Sequence, residues 1–336
     1  MNLFVIALML VCLSLTISAQ WIKQAVDTTA NFRGLSVVNE KVIWASGSNG
    51  NVIRTIDGGK TWMVMQVPDA SSKLDFRDIE AFDANTAYIL SIGNEEDSRI
   101  YKTENGGRTW DLQFENLDPK AFFDAIACWD KDNCIAVSDP VDGEYVLIST
   151  SDGGADWSLL GTDKMAEAKA GEAAFAASGT CLITQGKNTV FLVTGGSDAR
   201  VFRSNNRGLT WFVADTPITH GTPASGIFSI AMYDANNGVI VGGDYEKPAV
   251  KNNNLAFTTD GGKTWTPGTQ LAGYRSGVTY LDRKTIIAAG TSGSDISRDG
   301  GRTWTQIDRS DLNAVEAKGK RAIWAVGPKG MVAKMK

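Results

Sequence analysis

The chain has 336 residues, with 33 basic against 38 acidic side chains, and its net charge of −5 excludes the basic face a nucleic-acid binder needs to displace counterions from phosphate. A hydrophobic content of 43% with only 8 prolines excludes a disordered chain and allows a sizeable core. The 35 glycines and 10 tryptophans together point to many tight turns, each packed by a large aromatic ring.

Residues 1–19 carry no charged side chain, are almost wholly apolar from Leu3 to Leu15, and end in the small residues Ser18 and Ala19. This reads as a secretory signal cut before Gln20, and no later segment is apolar enough to span a bilayer. A secreted or periplasmic location is therefore expected. Cys128 and Cys134 flank a polar hairpin turn, Trp129 to Asn133, where opposed strand positions and an oxidising compartment favour a disulfide. Cys181 lies in an apolar strand-like run and reads as core.

Further along, one octapeptide recurs six times, ending at Trp62, Trp110, Trp157, Trp211, Trp265 and Trp304, with the pattern [Ser/Thr]-x-[Asp/Asn]-x-Gly-x-[Thr/Asp]-Trp. The Asp or Asn positions are Asp57, Asn105, Asp152, Asn206, Asp260 and Asp299. Each suits a hairpin turn: the carboxylate or amide folds back onto nearby backbone N–H groups, and the following glycine supplies positive φ. The roles are structural, and one carboxylate per loop supplies no calcium or other metal cluster. Successive copies of the Trp lie 39 to 54 positions apart, with short β-type runs between them such as Val42 to Gly47, Cys134 to Ser138 and Val239 to Gly243. That period matches one four-stranded propeller blade. Met165 to Ala177 is Ala/Glu-rich and reads as at most a turn or two of helix.

The C-terminal run from Ala322 to Ala333 resembles the first three strands of a blade without its hairpin box, and Trp21-Ile22-Lys23-Gln24 resembles the missing fourth strand. The expected fold is all-β: a single seven-bladed β-propeller over residues 20–336, its last blade closed by the N-terminal strand, which removes an exposed edge. A WD-repeat propeller is excluded because the Gly-His signature is missing and the chain holds one His.

The blade phrase Trp44-Ala45-Ser46-Gly47 through Gly50, Val52-Ile53-Arg54-Thr55 and Asp57-Gly58-Gly59-Lys60-Thr61-Trp62 resembles the Asp-box (bacterial neuraminidase repeat) propellers. Within them it is most similar to the photosystem II stability/assembly-factor-like family, over nearly all of residues 20 to 336. The resemblance implies a non-catalytic propeller that holds a partner polypeptide through an arginine-lined face. Ser138-Asp139-Pro140-Val141-Asp142-Gly143 and Gly226-Ile227-Phe228-Ser229 also resemble a bacterial branch labelled oxidoreductase. Redox chemistry is unsupported by the residues themselves: there is no Cys-x-x-Cys and no strand–GxGxxG–helix unit, and Gly195-Gly196-Ser197 reads as a loop. No cofactor is expected.

In such a ring the blade entries and the loops between second and third strands share one face, the top, opposite the hairpin boxes. Aligning the blade entries puts Arg33, Arg77, Asp124 and Glu172 at equivalent positions, with Tyr274 and Arg275 within a residue of that level; the loops add Asp139, Asp142, Asp244 and Tyr245. Arg33, Arg77, Arg275, Tyr245 and Asp244 are the candidate binding residues. The candidate catalytic carboxylates are Asp124, Glu172 and Asp139, for glycoside hydrolysis needs two across a cleft. A sialidase is a poor match, because Phe32-Arg33-Gly34 departs from the Phe/Tyr-Arg-Ile-Pro motif at its third position. The lone His220 stands in no Gly-x-Ser-x-Gly context and reads as polar surface. The expectation is an exported monomeric scaffold that binds a protein partner or a glycan on its top face, without nucleic acid. A carbohydrate-active glycoside hydrolase is the alternative.

Overall fold

The computed structural model of the chain describes residues 20–67 and 73–336. The signal expected over residues 1–19 lies outside the described residues. Seven antiparallel sheets form a ring, each with its first strand innermost. The innermost strands of blades 1 to 7 are Phe32–Val37, Asp75–Ala81, Phe123–Asp130, Leu182–Gln185, Ser225–Met232, Gly277–Tyr280 and Ala314–Ala317. Trp21–Lys23 pairs with Val332–Met335, Trp21 opposite Met335, so the N-terminal strand completes blade 7 and the ring has no seam edge. Among the described residues no helix is long and apolar enough to cross a membrane.

The hairpin boxes hold the blades together. In the first copy Asp57 Oδ1 accepts from Thr55 Oγ1 at 2.8 Å and from the Thr61 backbone N–H at 3.0 Å, while Oδ2 accepts from Thr61 Oγ1 at 2.6 Å. Where Asn replaces Asp, the geometry persists: Asn105 Oδ1 takes the Thr109 N–H and its Nδ2 donates to Thr109 Oγ1. In the first three boxes the Trp then packs edge-on against an aromatic in the second strand of the preceding blade. Trp62 meets Trp324 with centroids 5.6 Å apart, Trp110 meets Trp44 at 6.3 Å, and Trp157 meets Tyr88 at 6.4 Å. Each such pair adds roughly 0.5–1.5 kcal/mol beyond the burial itself. Gly59 has φ +89°, and a Cβ there would collide with the Trp324 ring, so glycine is required for both conformation and approach.

Cys128 and Cys134 stand directly opposite one another on the first two strands of blade 3 and form a disulfide. Cys181 is buried and unbridged. Two sequence expectations are revised around blade 4. Met165 to Ala177 contains no helix: Glu172–Ala173 is a two-residue strand, followed by irregular chain to the innermost strand at Leu182. Gly195–Gly196, expected as loop, pairs with that short strand and joins it to blade 5. A helix there would leave the backbone of residues 172–177 unable to meet its partners across the top of the ring, described next.

Candidate functional site

Near the start of the innermost strands of blades 1, 2, 3 and 5 the register slips by one residue, so that Arg33, Arg77, Asp124 and Phe228 are the extra, unpaired residues. A bulge redirects such a side chain, here off the pleat and toward the axis. In blades 6 and 7 a backbone N–H repeats the arrangement, with Ser276 and Gly277 both opposite Ala289, and Asn313 and Ala314 both opposite Val326. All six of these side chains line one cavity of about 520 Å³ on the face opposite the hairpin boxes.

The cavity has two unlike walls. Blades 1 to 3 supply the polar one. Arg77 Nε donates to Asp75 Oδ2 at 2.8 Å, whereas Arg33 has no carboxylate within ion-pair distance among the described residues, and its buried Nε has no acceptor. Burial, and then the nearby Arg77 charge, lower the affinity of the Arg33 guanidinium for its proton. It remains cationic, since arginine does not deprotonate in proteins. Asp124 and Asp139 face each other. Burial first, then the charge of Asp139, holds the Asp124 carboxyl well above the usual range, and Asp139 is pushed up to about 6 by burial. Two carboxyls buried side by side do not both ionise, and Asp124 is the one that keeps its proton. Blades 4 to 6 supply an aromatic wall. Phe175 lies flat on Phe228 with centroids 4.0 Å apart and planes 5° from parallel, and Tyr274 and Tyr245 meet Phe228 edge-on at 4.8 and 6.1 Å.

Of the residues singled out in the sequence, Arg33, Arg77, Asp124, Asp139, Tyr245 and Tyr274 are brought together here. Arg275 and Glu172 are not. Arg275 is one residue before the cavity-facing position Ser276, and a one-residue offset turns a strand side chain to the other side. It is fully buried against Asp295, Nε to Oδ2 at 2.7 Å. Glu172 lies well before the innermost strand of its blade; its Oε1 accepts from Arg200 Nε at 2.9 Å and from Thr194 Oγ1, inside blade 4. Asp244 is buried beside the mouth and accepts the Glu246 N–H, with Lys247 Nζ 3.6 Å away. Asp142 is exposed and paired with Lys120. Phe175, Phe228, Phe122, Ser276 and Asn313 were missed. A signal for three of them existed: an apolar–x–small triplet opens the innermost strands at Phe32-Arg33-Gly34, Ile227-Phe228-Ser229 and Leu312-Asn313-Ala314, and relaxing its first position adds Arg275-Ser276-Gly277.

The arrangement does not present the carboxylates hydrolysis requires. Retaining and inverting glycosidases hold the two groups about 5 to 10 Å apart across the bond to be cut. Asp124 and Asp139 are neighbours on one wall, both held above the usual carboxylate range by burial, and Glu172 is committed to Arg200 away from the cavity. Among the described residues no group of three or more His, Cys, Asp or Glu side chains is arranged to hold a metal ion.

The BNR/Asp-box repeat family model matches residues 256–267, spanning the blade 5 box. No curated relative matches the sequence. Among solved structures, YCF48 bound to D1 peptide is 17% identical, with 94% of this chain and 96% of that chain covered and a TM-score of 0.67. YCF48 from Cyanidioschyzon merolae is 16% identical over 94% and 98% of the two chains, with a TM-score of 0.62. The WD40 propeller domain of Doa1 is 11% identical over 95% and 97%, with a TM-score of 0.61. At these identities the likeness is one of fold. The chain is a seven-bladed β-propeller with a BNR/Asp-box repeat match in blade 5, similar in fold to the YCF48 structures.

Proposed function

We propose that the protein is an exported, non-catalytic binding propeller that engages a partner polypeptide at the cavity above its central channel. The observation that carries this reading is the division of the cavity between an uncompensated Arg33, beside Arg77, and an aromatic wall of Phe175, Phe228, Tyr245 and Tyr274. A polypeptide offers backbone carbonyls or a carboxylate to the first wall and an apolar side chain to the second. The similarly folded YCF48 propeller, known in a structure bound to D1 peptide, supports this reading. Export is supported by the apolar leader-like residues 1–19 and by the Cys128–Cys134 disulfide.

The test is selection of a random phage-displayed peptide library on the purified protein, with a glycan array and chromogenic glycosides run in parallel. Peptides enriched on the wild type are expected to lose at least tenfold in affinity on the Arg33→Glu/Arg77→Glu variant. Enrichment indifferent to that change would remove the cavity as the site. Glycoside turnover abolished by Asp124→Asn would overturn the non-catalytic reading.

A further inference from the structure

The polar wall of the cavity is already engaged, and its occupant is the chain's own backbone. The stretch Ala174 to Ala177 crosses the mouth between the short strand Glu172–Ala173 and the innermost strand of blade 4. Arg77 Nη1 donates to the Ala176 carbonyl at 3.3 Å and Arg33 Nη1 donates to the Ala177 carbonyl at 3.1 Å. In the other direction the Ala174 N–H donates to Asp139 Oδ1 at 2.9 Å. Three side chains, one each from blades 1, 2 and 3, thus hold both donors and acceptors of a four-residue segment. None of these three contacts involves a side chain of that segment, whose members other than Phe175 are alanines.

The one large side chain in the segment enters a built slot. The Phe175 ring lies on Phe228; a Cβ at Gly195 would collide with it, and a Cβ at Gly226 would collide with the Gly195 backbone and press on the ring. Those two glycines, whose backbones also pair with each other, leave room for an aromatic ring and nothing else nearby. Turns at Gly171 and Gly179, both with positive φ (+82° and +77°), bound the crossing. Sequence-independent grips on the backbone beside one side-chain pocket are the pattern by which proteins bind peptides.

We infer that this mouth is a receptor for a short segment with one aromatic side chain between small residues, and that Ala174 to Ala177, turned by an Ala177 N–H to Phe175 carbonyl bond, is an intramolecular occupant which an incoming partner segment displaces. The inference rests on the polypeptide-binding reading above and adds both the chemistry of the segment and the step that exposes the site. Displacement conserves the contacts: Arg33, Arg77 and Asp139 exchange one backbone for another, and the partner's ring replaces Phe175 against Phe228. The strap therefore sets the affinity threshold, because a ligand must compete with a tethered segment at high effective concentration.

The experiment uses a fluorescein-labelled peptide with the sequence of residues 172–180 as the probe, titrated against the wild type and Phe175→Ala. The expected result is at least tenfold tighter binding to Phe175→Ala than to the wild type, lost when the probe's own Phe is replaced by Ala. Equal binding to both proteins, or no binding to a Phe175→Ala variant whose circular dichroism and melting remain cooperative, would overturn it. Should that variant not fold, hydrogen exchange on the wild type decides. The Ala174 amide is expected to exchange at least 100-fold faster than the Ile126 and Ile135 amides, and equal protection would make the strap a fixed part of the core. Peptide selection on the wild type reads partner binding whatever the strap does, so failure here and failure of the binding reading are distinguishable.

Discussion

Arg275 Nε donates to Asp295 Oδ2 at 2.7 Å across the first three strands of blade 6, and neither side chain has meaningful contact with solvent. The guanidinium also donates Nη1 to the Tyr274 carbonyl and to Ser292 Oγ, both at 2.7 Å. An ion pair so enclosed contributes by satisfying its partner more than by net attraction, and removing one member leaves a buried charge. Arg275→Ala is therefore expected to lower stability by about 3–5 kcal/mol in urea unfolding. An Arg275→Met/Asp295→Leu double variant should recover most of that loss. A single variant that melts with the wild type, yet loses peptide binding, would return Arg275 to the binding site.

The second prediction concerns pH. Asp78 and Glu316 border a second cavity, of about 420 Å³, at the opposite end of the channel, and burial pushes each carboxyl up to about 7. In the unfolded chain they ionise near 4, so between about pH 4 and pH 7 only the unfolded state is relieved of the proton, and stability falls as pH rises through that window. The box carboxylates act oppositely. Hydrogen bonds from Thr264 and Thr258, outweighing burial, hold Asp260 down at about 2, so its contribution is present above pH 4 and is lost as pH falls toward 2. Stability should peak near pH 4, where the two windows meet. Glu316→Gln keeps an acceptor for the Val37 N–H, which Oε2 now takes at 2.9 Å. It should leave the melting temperature at pH 4 almost unchanged and raise stability at pH 8 by about 1 kcal/mol, discounted because Glu316 is only partly buried at the cavity edge. Equal shifts at both pH values would show that Glu316 is ionised in the native state throughout.

The box series supplies the third. Asp260 Oδ1 accepts from Thr258 Oγ1, from the Lys263 N–H and from the Thr264 N–H, and Oδ2 accepts from Thr264 Oγ1. Asp260→Ala removes all four and should cost about 1–2 kcal/mol, the scale of losing a capping side chain. Asp260→Asn should cost less than half of that, because Asn105 and Asn206 occupy the same position in blades 2 and 4 with the same bonds to the following Thr. Equal losses for the two variants would assign the effect to charge alone.

The candidate site was legible only in part, and the boundary between the parts has a cause. Arg33, Arg77 and Asp124 were found because each follows an aromatic at the start of a strand that can be aligned on its blade. Glu172 and Arg275 were misplaced because blade 4 opens with an extra short strand and blade 6 enters its innermost strand one residue later than the alignment assumed. An error of one position in a strand reverses which side a residue faces, so alignment by composition cannot tell a mouth arginine from a core one. Phe175 had no periodic signal at all, because its role depends on where an irregular segment comes to rest.

What the sequence determined by itself was the architecture. The box recurs at blade spacing, its Asp, Gly and Trp act within a few residues of one another or on the neighbouring blade, and the unboxed C-terminal run leaves one strand for the N-terminus to supply. Such information is local and repeated, so it survives reading without coordinates. The character of the mouth was decided by tertiary structure alone. Closing the ring brings together residues from six of the seven blades, separated by as much as the distance in sequence from Arg33 to Asn313, and lays Ala174 to Ala177 across them. Contacts among residues so far apart depend on the ring's closure and on one-residue bulges, neither of which leaves a periodic trace in the chain.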